Sequence, residues 1–461
     1  MSVVHSKSVF NQLIKLAWPI VLAFMMQTSY NLVDIFWVGK LGATAIASVS
    51  LAGNFFYIIL ALGQVIGSGT VALVAHSFGG RLFDRANSIA KQSLLLAFII
   101  ALAIGILGFV FSKQIMYFLG GRGAVLILSN EYLRIVSIGF FFQLLSFSIN
   151  YIFRGAGDMK IPMVIMLIAT ATNLILDPLL ILGIGFFPRL EVQGAAVATA
   201  IAKFVSFVVG FLILLRGRSG IKISFTTPWQ LQSTIVKKIF NVGIPVGISY
   251  GLMASSIMVV FGIVAAFSEH ALAALGIGTR IFQFASLPVV GIGVATTTLV
   301  GQNLGARNQK GATQAGNAAL GLSTVIMVLF SVFFITNPRP LIALFTQNIP
   351  TITHGTEFIN IVSFYLIFVG ITTSLTGIFR GAGYTVPPMV AGILKVSLLY
   401  VLAIFLSRTM HAGVSGVWWA MLIAYGVESL VMILWYRKGS WREKGLALLK
   451  GLAPTDTPVS K

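Results

Sequence analysis

Apolar stretches, each long enough to cross a bilayer, follow one another along this whole sequence, and charge is almost confined to the breaks between them. As a helix, a run of about 20 such residues spans the ~30 Å hydrocarbon core with its backbone polar groups satisfied internally. Only 9% of the 461 residues are charged and the mean hydropathy is +0.96, too little polarity to cover a water-facing surface of this size. A membrane β-barrel is excluded, because its strands alternate apolar and polar residues and these runs do not. The chain therefore reads as an all-α polytopic membrane protein. It has no cysteine, which excludes disulfides, thiolate metal sites and cysteine nucleophiles. Its first residues, "MSVVHSKSVFNQLIKL", read as the lead-in to a membrane helix and not as a cleavable signal peptide.

Twelve helices are expected, near 11–38, 46–76, 92–111, 130–153, 161–186, 193–215, 237–266, 272–300, 314–336, 357–379, 387–407 and 414–436. Of 31 Lys and Arg residues, 20 fall on the side of the N-terminus and six on the opposite side. The positive-inside rule then places both termini in the cytoplasm, in a plasma (inner) membrane. This sorting accounts for the net charge of +20 better than nucleic-acid binding does. The basic tail "WYRKGSWREKGLALLK" is expected to lie against anionic lipid.

The sequence repeats itself. "FRGAG" occurs at 153–157 and 379–383, and the same offset of 226 pairs Pro19 with Pro245, Gly67 with Gly293, and "LVAHSFGGR" (73–81) with "LVGQNLGAR" (299–307). Each repeat holds six helices, an even number, so both halves enter the membrane the same way. They should form two parallel six-helix bundles related by a pseudo-two-fold along the membrane normal, the plan of parallel-repeat transporters. The expected organisation is an N-terminal bundle over 1–215, a cytoplasmic linker over 216–236, a C-terminal bundle over 237–436 and a basic tail over 437–461.

Three of the 11 acidic residues lie inside helices: Asp34, Asp177 and Glu428. A charge at the bilayer centre costs about 2.5–3.5 kcal/mol even on the lenient insertion scale, so each needs a partner, a proton or water. Asp34 lies near the end of the first helix and Asp177 late in the fifth. Both helices run outward, so the two acids share a depth in the first bundle. Asn173 sits one turn before Asp177 on the same face. Two carboxylates and an amide suit a hard monovalent cation or a proton. At the repeat offset the counterparts of the acids are Val260 and Ala403. Packing demands are common to both halves and the acids are not, which points to function. The competing structural reading pairs them with Lys203 or Arg134. Glu428 is expected to form a structural ion pair with Lys395 of the neighbouring helix, and Arg280 to snorkel or pair. Pro19 is expected to kink the first helix. No Walker A, HExxH or Gly-x-Ser-x-Gly pattern occurs, so neither ATP use nor an enzyme is indicated.

"WPI", Gln27 and "YNLVDIFWVGKLG" in the first helix, "FRGAGD", "NLILDPLLI" and "GAAVATAIA" together resemble the multidrug and toxic compound extrusion (MATE) family, over essentially the whole chain. The resemblance implies secondary active efflux of organic cations and amphipathic compounds in exchange for inward H⁺ or Na⁺, by a protein that works as a monomer without a cofactor beyond the coupling ion. Asp34, Asn173 and Asp177 match the cation site of the DinF-like branch, with Thr199 and Ala195 matching its part on helix six. Gln27, Tyr30 and Asn150 match positions lining the substrate cavity, and Pro19 matches a proline proposed to bend during coupling. NorM-like members carry acids in helices seven and ten; here 237–266 and 358–379 contain none, and Glu269 and Glu357 are expected at the helix ends.

Two other readings compete with the exporter. A flippase of lipid-linked saccharides would need a cationic cavity, and Arg280, Lys203 and Lys395 are scattered. A receptor or scaffold would have no reason to keep a two-fold repeat with asymmetric buried acids.

Overall fold

The computed structural model describes residues 6–223 and 229–450. Eleven helices are long and apolar enough to cross a membrane, and a bent pair makes a twelfth span. The chain is a multi-pass membrane protein. The spans are α1 (Ser6–Gly39), α2 (Ala43–Gly79), α3 (Phe83–Val110), α5 (Gly123–Ala156), α6 (Lys160–Leu182), α7 (Glu191–Leu215), α8 (Ser233–Ala265), α9 (Glu269–Gly305), α10 (Gln309–Thr336), the pair α12 (Ile349–Val362) and α13 (Tyr365–Gly381), α14 (Val386–Ile404) and α15 (Gly413–Lys438). Short helices α4 (Ser112–Phe118), α11 (Pro338–Ala343) and α16 (Ser440–Ala447) lie between or after them. A π-helical turn, Phe405–Thr409, ends the α14 span.

The tenth span departs from the single helix expected over 357–379. It starts at Ile349, which puts Glu357 inside the span and not at its end, and breaks at Ser363 and Phe364, with α12 and α13 bent by 50°. No proline causes the break. Leu366 and Ile367 donate to the carbonyls of Ser363 and Phe364, three residues back, at 3.1 and 3.2 Å. The turn is locally tightened to 3₁₀ spacing, which re-aims the axis. Pro19 and Pro245, by contrast, lie within the continuous helices α1 and α8. Each still deprives the carbonyl four residues before it of its intrahelical donor.

The chain divides into two compact units. One comprises Leu22–Gly243 with Leu449–Lys461, and the other Met1–Val21 with Ile244–Leu448. In the first, Phe55, Phe140, Leu133, Ile181 and Ala195 belong to one core cluster. The second carries an aromatic stack in its core: Phe282 lies 5.6 Å from Phe334 and 5.3 Å from Phe358, whose ring meets Trp418 edge-on at 4.9 Å. In the same unit Val9, Leu13 and Ala17 of α1 pack with Ile292 and Leu299 of α9.

Part of the basic tail is folded. Trp441 of α16 is fully buried and stacks on Tyr436, ring centroids 5.6 Å apart. Asp158, in the turn before α6, accepts from the backbone N–H groups of Lys160 and Ile161 and, on its other oxygen, from the Ser219 hydroxyl at 2.6 Å. That acid therefore caps a helix and ties it to the turn after α7.

Candidate ion and substrate site

Two close helix contacts build the site. A Cβ added to Gly194 of α7 would stand 2.4 Å from the Leu180 carbonyl oxygen of α6. A Cβ on Gly139 of α5 would stand 2.9 Å from Cα of Ala200 on α7. Only glycine permits such approaches, as is usual at membrane helix interfaces. They bring the stretch of α7 carrying Ala195 and Thr199 against both α5 and α6. Ala195 itself is fully buried in the apolar core cluster beside the site.

Asn173 and Asp177 lie one turn apart on α6, 2% and 0% exposed. The Asn173 Nδ2 donates to Asp177 Oδ1 at 3.2 Å. Pro178 follows at once inside the helix and, having no N–H, leaves the Leu174 carbonyl without its usual donor. From α1, Asp34 comes close enough to Asp177 for the two carboxyl groups to act on each other. Four side-chain oxygens here are buried with no hydrogen-bond partner: Asp34 Oδ1, Asp177 Oδ2, Asn173 Oδ1 and Thr199 Oγ1. Buried polar atoms are rarely left so. Three of these oxygens can only accept, while the Thr199 hydroxyl can also donate, and buried acceptors left without partners are a place for a proton or a hard cation. Among the described residues no three His, Cys, Asp or Glu side chains converge. The donors present are two carboxylates, an amide oxygen and a hydroxyl, which fit a monovalent ion such as Na⁺ or a proton.

Among the described residues neither carboxylate forms an ion pair. Lys203, one turn beyond Thr199 on α7, is near enough to act electrostatically on Asp34 but makes no salt bridge with it. Arg134 instead lies over the Phe109 ring, 4.7 Å from its centroid.

The remaining site residues line up by helical spacing. Gln27, Tyr30 and Asp34 recur at i, i+3 and i+7 on α1, along one face. Tyr30 is within electrostatic range of both acids and of Thr199. Asn150, on α5, is half-buried with Oδ1 unpartnered, and two turns earlier on the same face Gln143 Oε1 is unpartnered too. The structure thus brings together Tyr30, Asp34, Asn173, Asp177 and Thr199. Pro19 lies in the other compact unit.

A family model, MatE, matches residues 19–179 and 245–406. The two segments begin at the paired prolines, at the offset of the sequence repeat. The chain belongs to the MatE family. MatE proteins are transporters, not enzymes. This MatE chain is 26% identical over 437 residues to "Probable multidrug resistance protein YoeA" of Bacillus subtilis, covering 94% of each. It is 26% identical over 442 residues to "Probable multidrug resistance protein NorM" of Thermotoga maritima, again covering 94% of each. Among solved structures, "Outward-facing conformation of a multidrug resistance MATE family transporter of the MOP superfamily" superposes with a TM-score of 0.87 at 25% identity, over 95% of this chain and 97% of that one.

One member of this MatE cluster escapes a reading of the sequence. Tyr132 of α5, 8% exposed, faces both acids and Thr199. A signal existed: its counterpart at the repeat offset is Phe358. The hydroxyl is as asymmetric between the halves as the acids are. Elsewhere in the membrane, Lys395 and Glu428 form the expected ion pair at 3.1 Å, and Arg280 is exposed.

Proposed function

We propose that this MatE transporter is a secondary active multidrug exporter, moving organic cations and amphipathic compounds outward in exchange for inward H⁺ or Na⁺ by alternating access. The observation that carries the reading is the set of four buried, unpartnered oxygens contributed by α1, α6 and α7. An ion entering there neutralises charge between three helices and binds Asp34 to Asp177. Any conformation that assembles the cluster is stabilised by that ion. A cationic substrate attracted to the same carboxylates is correspondingly disfavoured. Mutual exclusion of this kind is sufficient for exchange. Gln27 and Tyr30, on the face of α1 that carries Asp34, and Asn150 offer polar contacts to a bound substrate, and Pro19 a place for α1 to bend. The protein sits in the plasma (inner) membrane as a monomer with both termini cytoplasmic, and needs no cofactor beyond the coupling ion. The naming of the relatives as multidrug resistance proteins supports the substrate class.

The test is ethidium efflux from loaded bacteria lacking their own pumps, comparing the unaltered protein with Asp34→Asn and Asp177→Asn at matched membrane expression. Export by the unaltered protein and failure of both variants is the expected result. Collapsing the proton and sodium gradients separately then names the ion. Export by both variants at the unaltered rate overturns the coupling role of the cluster.

A further inference from the structure

A second cluster lies in the other unit and shares no residue with the ion site. One face of α12, together with α11, lines a cavity of about 380 Å³. Arg339, Thr356, Glu357 and Asn360 supply its polar lining, with Ile349, Ile352 and Ile361 on the same face. The packing that forms it is specific. Ile342 of α11 is fully buried, and a Cβ on Gly355 of α12 would stand 2.8 Å from its side chain. With a larger residue at 355, α11 could not lie against α12 and present Arg339 to the cavity that Glu357 lines.

The lining holds opposite charges that do not satisfy each other. Arg339 has no hydrogen-bond or ion-pair partner among the described residues. Glu357 accepts one hydrogen bond on Oε1, from the Ser415 hydroxyl of α15, and Oε2 has none. Thr356 Oγ1 is buried without a partner. Glu357 lies eight residues into a membrane span that begins at Ile349, roughly 12 Å along the helix axis. On a membrane span a carboxylate and a row of polar side chains are costly unless polar groups meet them. Of the isoleucines on the same face, Ile349 is 71% exposed, while Ile352 and Ile361 are half-buried against the core.

We propose that this cavity binds a zwitterionic phospholipid whose headgroup is a phosphate joined to a primary ammonium. Arg339 presents the planar fork that matches a phosphate. Glu357 Oε2 accepts from the ammonium N–H groups. The isoleucines take the first part of an acyl chain. A headgroup with a quaternary ammonium has no N–H to offer Glu357, and a glycerol headgroup brings no positive charge, so the cavity discriminates among phospholipids.

The experiment uses the purified full-length protein in detergent. It is titrated with phospholipids of identical acyl chains bearing aminoethyl, trimethylammonioethyl or glycerol headgroups, and retained lipid is read by native mass spectrometry. The aminoethyl lipid should bind on the order of tenfold more tightly than the others, the weight of a charge-assisted hydrogen bond. Glu357→Gln keeps an acceptor for Ser415 and should abolish that preference while leaving overall lipid binding. Arg339→Gln, at an exposed position, should weaken all three. Equal retention of the three headgroups by the unaltered protein, or an undiminished preference in Glu357→Gln, overturns the proposal. Displacement of the lipid by free O-phosphoethanolamine at equal affinity also overturns it, because the site would then serve a soluble zwitterion and not a lipid.

Discussion

Asn173 Nδ2 holds Asp177 Oδ1 at 3.2 Å across one turn of α6. The bond fixes the carboxylate with its other oxygen, Oδ2, buried and unpartnered, beside the carboxyl of Asp34. The amide thus acts on the ion site through Asp177, and it also keeps its own Oδ1 among the acceptors. Asn173→Ala removes both contributions and leaves the acids in place. Such a variant should still export dye, but need on the order of tenfold more coupling ion for half-maximal rate, the cost of losing one hydrogen bond to a charged group. Initial efflux rates over a series of imposed ion gradients measure this, and an unchanged ion dependence would show that Asn173 is a helix-packing residue.

Neutralising an acid should have the opposite effect on stability from its effect on transport. The half-buried Asp34 and the buried Asp177 carboxylates repel each other, and neither has an ion-pair partner among the described residues. Asp34→Asn removes that repulsion and supplies a donor to Asp177 Oδ2. Its thermal unfolding temperature in detergent, in ion-free buffer, should rise by a few degrees while dye efflux is lost. Addition of the coupling ion should stabilise the unaltered protein and leave Asp34→Asn unmoved, since only a protein that binds the ion gains from it. A variant as responsive to the ion as the unaltered protein would place the ion elsewhere.

Tyr132 tests the part of the cluster contributed by α5. Tyr132→Phe keeps the ring, and the phenylalanine at position 358 shows that a bare ring is accommodated at the equivalent position of the other repeat. Expression and melting temperature should therefore stay close to those of the unaltered protein. Dye export should fall severalfold, because Thr199 and the acids lose a hydroxyl within reach. Unaltered export would assign Tyr132 to packing alone.

The architecture was legible because lipid leaves a helix few alternatives. Apolar length gave the spans, and the offset shared by Pro19 and Pro245 marked the two repeats. The acids were legible for the same reason, as Asp34 and Asp177 are costly in hydrocarbon and missing from the second repeat. Tyr132 was not found, since tyrosine is cheap in a membrane and its hydroxyl is conspicuous only beside Phe358. The break at Ser363 was also hidden. It contains neither proline nor glycine, and the bend arises from i→i+3 bonding that no residue type in the stretch announces. Gly194 and Gly139 were visible as small residues in helices, but which carbonyl or Cα they admit depends on a neighbouring helix far away in the sequence.

The Lys395–Glu428 pair yields the last prediction. Its side chains are 10% and 12% exposed and join α14 to α15 at 3.1 Å. The Lys395 ammonium also lies 4.4 Å from the centroid of the Tyr425 ring, and that ring meets Tyr365 edge-on at 4.3 Å. Removing one partner leaves the other buried and uncompensated, at a cost of about 3–5 kcal/mol, whereas replacing both by neutral groups of similar volume is often close to neutral. Lys395→Met and Glu428→Gln should therefore each lower the melting temperature and the yield of folded protein, and the double variant should recover most of the loss. Ethidium efflux by the double variant should match that of the unaltered protein, because this pair shares no residue with the Asp34–Asp177 cluster. A double variant that folds normally and fails to export would move the pair from the scaffold to the transport path, with Glu428 as the second carboxylate a cationic substrate meets.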